Sequence, residues 1–267
     1  MKQRRAELGN LSSRFFAYVQ LRQKDTVRIG ELAPVLGITR TQERDLLRRL
    51  SESGWIVRLT RGVYLVPPRI PPGGKYSPGV GLVLERLMKE RDGRYQICGP
   101  TAFHFHGLDD QIPTVTYAYN NRISGSRTIG ALELQLIKVA DSRLGAVSSV
   151  RSQDGVEIVY SSKARTLMDG VYDWSRFNSL PRAYDWIQQM VGSDRALAGE
   201  LADVTVRYSN QATIRRVGYL LDAVVLLPQL TKRLERKLSR SKALIPWIPG
   251  KPARGGINRK WGIIANV

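Results

Sequence analysis

The chain has 267 residues, 42% of them hydrophobic, which is enough for two modest domains with real cores and excludes a disordered chain. Lysine and arginine number 42 against 23 acidic residues, a net charge of +19 that calls for an anionic partner, nucleic acid before membrane. The excess sits at the two ends: residues 1–70 hold 14 basic and 6 acidic side chains, 71–200 hold 15 and 14, and 201–267 hold 13 and 3. A single cysteine, Cys98, permits no internal disulfide and reads as a small buried hydrophobe. MKQRRAELGN has charge without an apolar run, and Tyr219–Leu230 is short and broken by Asp222 and Pro228. Neither a secretory leader nor a membrane span is expected, and the expected location is cytoplasmic.

Leu8, Leu11, Phe15, Tyr18 and Val19 recur at helical spacing and predict a helix over 11–23, with Ser12 and Ser13 as caps. A short strand is expected at 26–28. Leu32, Val35 and Leu36 give the next helix its apolar side, and Pro34 is tolerable there only near the helix start. Gly37 suits a left-handed helix end, and Thr39 with Gln42 forms a T-x-x-Q capping box that opens another helix. In that helix Leu46, Leu47 and Leu50 share one face, while Thr41, Arg44, Asp45 and Arg48 share the other, with Arg40 leading. Gly54 ends it. Segments 55–60 and 63–67 then flank Arg61-Gly62 as a hairpin. A helix-turn-helix followed by a hairpin is a winged helix.

Pro67–Gly81 is rich in proline and glycine and reads as a linker. The expected domains are a winged helix over 1–68, a linker over 69–81 and a C-terminal domain over 82–267. Beyond the linker the patterns predict helices at 80–91 and 100–106, with strands at 94–98, 114–119, 127–131, 133–139, 146–151 and 155–160. Gln153-Asp154-Gly155 is the hairpin signal between the last two. Helices follow at 162–171, 180–191, 194–203, 210–226 and 228–240, and extended pieces at 244–248 and 260–266. The fold class is therefore α+β: an N-terminal winged helix-turn-helix, then a larger mixed domain with a mainly antiparallel sheet and a helical C-terminal part.

Arginine can pair bidentately with guanine edges, so Arg40, Thr41 and Arg44, in the first two turns of the second helix of the motif, are the candidates for base reading. Gln42 can bond bases or phosphates. Arg48, Arg49, Arg58 and Arg61 suit phosphates, which fix position without reading sequence. The plainer reading of the same face is a solvated helix. A second basic stretch spans Leu227–Lys242. There Leu227, Leu230, Leu234 and Leu238 form a packing stripe, and Lys232, Arg233, Arg236, Lys237 and Arg240 read as a solvated face, a second nucleic-acid contact or an acidic-partner surface. His104 and His106 lack companions at ligand spacing, so no metal is expected. Asp109-Asp110 and the Glu133-Leu-Gln135 stretch loosely fit a magnesium nuclease, and no phosphate-cradling loop is present. No catalytic constellation stands out; the chain is expected to be no enzyme and to need no cofactor.

RLTRGVYLVP, GPTAFHFHGL, SSKARTLMDGV, RRVGYLLD and GGINRKWGIIANV, in that order, resemble stretches of the AbiEi antitoxin family of type IV abortive-infection toxin-antitoxin systems, which serve phage defence. That resemblance implies a winged helix that binds inverted repeats in double-stranded promoter DNA and represses its own operon. It also implies a C-terminal domain that neutralises an AbiEii-type nucleotidyltransferase-like toxin, by binding it or by opposing its effect. Carried over by position, it places DNA contacts on Arg40, Thr41, Gln42, Arg44 and Arg61. Motif positions in the antitoxin domain, a candidate toxin or second nucleic-acid surface, are Lys163, Arg165, Arg215, Arg216 and Tyr219. A small winged domain is expected to act as two copies on paired half-sites. The alternatives are a metal-dependent nuclease targeted by the winged helix, using Asp110 and Glu133, and a regulator whose C-terminal domain senses a small molecule.

Overall fold

The computed structural model describes residues 9–70, 73–152, 155–224, 228–239 and 243–266. They form two compact units. One gathers the chain up to Arg94 with Ser124–Gln135 and Arg151–Ile158; the other gathers Tyr95–Ile123, Leu136–Val150 and the chain from Val159 onward.

The first unit opens with α1 (Asn10–Leu21), β1 (Thr26–Arg28), α2 (Leu32–Leu36), α3 (Arg40–Glu52), β2 (Val57–Thr60) and β3 (Val63–Leu65). The strands form an antiparallel sheet in the order β1-β3-β2. This is the winged helix-turn-helix the sequence predicts. α1 starts earlier than expected, with Gly9 as its N-cap, and Ser13 bonds back to the Gly9 carbonyl instead of capping. Pro34 is the third residue of α2, a position whose N–H has no partner within the helix. Phe15, Phe16, Val19, Val27, Leu32, Leu36, Leu46, Leu47, Leu50, Ile56, Tyr64 and Val66 make one core. Tyr64 and Val66 face it, so Val63 and Leu65 point to the opposite side of the sheet, and all four are buried. A sheet covered on both faces reads as an unbroken apolar run, as in VYLV. Part of that second cover is α4 (Val80–Lys89), which packs on β2, with Arg86 paired to Asp25 at 2.5 Å and Glu90 to Arg28 at 2.6 Å. The turn at Gly130 meets the same strand: a Cβ there would lie 3.2 Å from Val57.

The rest of the chain supplies β4 (Tyr95–Ile97), α5 (Gly99–Phe105), β5 (Val115–Asn120), β6 (Gly125–Ile129), β7 (Leu132–Lys138), β8 (Val147–Arg151) and β9 (Glu157–Ser161). Their six-stranded sheet has the order β6-β7-β5-β4-β9-β8; β4 runs antiparallel to β5 and parallel to β9. Of the expected β8–β9 turn, Gln153 and Asp154 lie outside the described residues, and Gly155 has φ +76°. Then come α6 (Lys163–Tyr172), α7 (Trp174–Phe177), α8 (Arg182–Ser193), α9 (Arg195–Tyr208), α10 (Gln211–Val224), α11 (Pro228–Glu235), β10 (Ile245–Pro246), β11 (Gly256–Asn258) and β12 (Ile263–Ala265). The expected helix at 228–240 stops at Glu235. α7 and β11, four and three residues long, are too short to leave a period in the sequence.

α6 is buried along its whole middle because α5, α8, α9 and α10 surround it. α10 receives the closing segment at Gly218, where any Cβ would lie 2.1 Å from the Trp261 ring; the Trp261 indole N–H donates to Asp222 at 2.7 Å. Cys98 is buried in this core, and burial pushes its thiol well above the ordinary value.

Candidate nucleic-acid interface

The second helix of the motif begins as a complete capping box. Thr39 Oγ1 accepts from the Gln42 N–H at 3.2 Å, and Gln42 Oε1 accepts from the Thr39 N–H at 2.9 Å. Gln42, a candidate DNA contact, therefore commits its oxygen to the cap and keeps its amide hydrogens free for an acceptor. Arg40, Thr41, Gln42, Arg44, Arg48, Arg49, Arg58 and Arg61 are all exposed. Their surroundings differ. Arg48 bridges Asp45 at 3.5 Å and Glu52 at 3.3 Å, which raises its pKa and satisfies it locally. Arg49 bonds the Asp45 carbonyl and Arg58 the Thr60 carbonyl, both near 3.5 Å. Arg40, Arg44 and Arg61 make no hydrogen bond or ion pair with any described residue.

Two side-chain contacts, one of them buried, hold this exposed face. Arg14 of α1 donates to the Leu36 carbonyl at 2.7 Å and closes the C-terminal end of α2, where Gly37 takes the left-handed conformation at φ +62°. Glu43 of α3 is fully buried; its oxygens accept from the Gly30 N–H at 2.8 Å and the Leu32 N–H at 2.7 Å. Nothing local in the sequence announces this role. An acid in a first helical turn is ordinary there, and its partners lie more than ten residues upstream.

The motif positions of the second unit are not one surface. Arg165 is fully buried: its Nε bonds both Asp169 oxygens at 2.9 and 3.0 Å, and its Nη1 donates to the Arg143 and Gly145 carbonyls. Burial pushes the Asp169 carboxyl up, against the pull of Arg165 and Arg143. Arg215 and Arg216 are also buried, donating to the Ala243 carbonyl at 2.6 Å and the Pro246 carbonyl at 3.0 Å. Half-buried Tyr219 packs edge-on against Trp247. Arg215, Arg216, Gly218 and Asp222 thus anchor the segment 243–266, and RRVGYLLD and GGINRKWG clasp each other through Gly218, Asp222 and Trp261. As contacts for a partner, Arg165, Arg215 and Arg216 are corrected to internal supports. Lys163 is half-buried at the start of α6. On α11 and just beyond, Lys232, Arg233, Arg236 and Lys237 are exposed, Arg233 being paired with Asp203. Leu227 and Arg240 lie outside the described residues.

His104 and His106 serve the fold. His104 Nδ1 meets the Asp109 carbonyl at 3.3 Å, and His106 Nε2 donates to the Ser161 carbonyl at 2.8 Å. Glu133 accepts from Thr128 within its own hairpin, and Asp110 is exposed on a loop. Among the described residues, no group of three or more His, Cys, Asp or Glu side chains could hold a metal ion. No helix among them is long and apolar enough to cross a membrane.

This geometry defines a winged helix-turn-helix protein in which a larger mixed α+β part follows in the chain. Residues 17–67 match the family model described as "Transcriptional regulator, AbiEi antitoxin", so the winged segment is similar to that of the AbiEi antitoxin regulators. Among solved structures, the RV2827C protein from Mycobacterium tuberculosis is similar with a TM-score of 0.63 and 14% identity, covering 96% of this chain and 92% of that one, a likeness of fold. No curated protein matches the chain.

Proposed function

We propose that the protein is the antitoxin and autorepressor of a type IV toxin-antitoxin operon. Two copies bind inverted repeats in the promoter, each laying α3 in the major groove with its wing beside the groove. Arg40, Thr41 and Arg44 read base edges; Gln42, Arg49, Arg58 and Arg61 contact phosphates, with Arg48 in a lesser role. The remainder of the chain counters an AbiEii-type nucleotidyltransferase-like toxin, directly or by opposing its effect. The exposed residues Lys232 and Arg233 of α11 and Arg236 and Lys237 just beyond it, with Lys163, are the candidates for that surface or for a second nucleic-acid contact.

The observation that carries the DNA reading is the set of exposed guanidinium groups, Arg40, Arg44 and Arg61, left without partners among the described residues on a capped helix and a wing tip. A charge that no acid satisfies is available to a phosphate or a guanine edge at little cost. The test is a gel shift with the promoter region of the protein's own operon. Arg40→Ala and Arg44→Ala should each weaken binding by about 1–3 kcal/mol. Arg48→Ala, whose partners are already within the helix, should lose clearly less. Unchanged binding by the triple variant at Arg40, Arg44 and Arg61 would overturn the reading. For the antitoxin role, co-expression with a nucleotidyltransferase-like product of a neighbouring gene should restore growth that the toxin alone arrests.

A further inference from the structure

We propose that Glu43 is the positioning residue that sets the wing tip against the reading helix, so that Arg61 meets the duplex at a fixed distance from Arg40 and Arg44. The inference rests on the DNA-binding reading above.

The path is short and made of hydrogen bonds. Glu43 leaves α3 on its buried side and accepts from the Gly30 N–H at 2.8 Å with one oxygen and the Leu32 N–H at 2.7 Å with the other. Gly30 follows Ile29, whose N–H donates to the Gly62 carbonyl at 2.9 Å. Gly62 is the second residue of the wing turn, at φ +78°, and Arg61 precedes it. One carboxylate on the reading helix thus holds the strand end that holds the wing tip. The same carboxylate satisfies an N–H at the start of α2, which otherwise has no side-chain cap.

The alternative is that Glu43 only stabilises the fold. A buried carboxylate with two charge-assisted bonds is costly to remove either way, so stability alone cannot decide. Coupling can. If Glu43 places the wing tip, the contribution of Arg61 depends on Glu43 and that of Arg40 does not. A purely stabilising residue leaves both contributions intact in whatever fraction of the chain is folded.

The experiment uses the full chain and its own promoter DNA, with binding followed by fluorescence anisotropy over a salt series. The variants are Glu43→Gln, Arg61→Ala, Arg40→Ala and the doubles that join Glu43→Gln to each. Glutamine keeps one acceptor oxygen and turns an NH2 toward the other backbone N–H. In the unmodified background, Arg61→Ala should weaken binding roughly fivefold to tenfold and reduce the salt slope by about one. With Glu43→Gln the slope should already be reduced by about one, and adding Arg61→Ala should cost less than about twofold. Arg40→Ala should cost the same in both backgrounds. Equal cost of Arg61→Ala in both backgrounds overturns the inference while leaving DNA binding in place. Failure of the unmodified chain to bind overturns both. If Glu43→Gln does not fold, Glu43→Asp takes its place: it keeps the charge but is one methylene too short to reach both N–H groups, and the same loss of coupling is expected.

Discussion

Side chains whose charge is governed by burial make the most direct tests of single residues. His106 is half-buried behind α5; burial holds its pKa below the ordinary histidine value of 6.5, Lys163 pushes it the same way, and the Ser161 carbonyl opposes both. A group depressed in the folded state favours folding above its unfolded pKa, and that contribution is lost as pH falls through the folded value. Chain stability should therefore decline between about pH 7 and pH 5 as His106 is forced to charge. Urea denaturation at several pH values should show a shallower decline in that window for His106→Gln, which can still donate to Ser161. An equal decline in both proteins would locate the pH response elsewhere. Nothing in HFHGL announces this, because the Ser161 carbonyl reaches His106 from 55 residues away.

Among the elements, the pair formed by α10 and the closing segment shows most clearly why a motif can be visible while its meaning is not. Gly218 gives up its side chain to the Trp261 ring, and Trp261 is 1% exposed. A methyl group cannot enter without moving a buried indole, so Gly218→Ala should destabilise by about 1–3 kcal/mol even though alanine is the better helix former. Chemical denaturation would show it as a lower midpoint; a neutral or stabilising result would mean the clasp is looser than described. The winged elements were legible in the sequence because their signals are local. Thr39 and Gln42 sit three residues apart, Gly37 ends its own helix, and Leu46, Leu47 and Leu50 mark one face. Arg165 entered as a surface candidate through resemblance alone, and nothing local shows that α6 is enclosed by its neighbours and supplies a counter-ion at Asp169. Val63 and Leu65 are buried on the sheet face opposite the winged core, and no period within RLTRGVYLVP encodes that cover.

For the whole molecule the governing quantity is the uneven charge. The winged segment and the last 67 residues hold nearly all of the +19, and the middle is close to neutral. With about five to seven phosphate contacts per copy, the logarithm of operator affinity should fall with the logarithm of salt concentration at a slope of about −5 to −6 for each copy bound. A titration series between low and physiological salt measures it, and a nearly flat line would remove the electrostatic basis of the DNA reading. Composition points to an anionic partner. It did not disclose that residues 124–135 and 151–158 group with the winged unit, because that depends on contacts between segments far apart in the chain.

The solitary thiol of Cys98 lies sealed in the interior with its ionisation suppressed, and a thiol that cannot form thiolate is a poor nucleophile. The native protein should therefore take up no maleimide dye. A cysteine introduced at an exposed position such as Leu21, which is 82% exposed, would be the sole site to take a label. The molecule can then carry one fluorophore at a chosen place, with no need to engineer away its own sulfur.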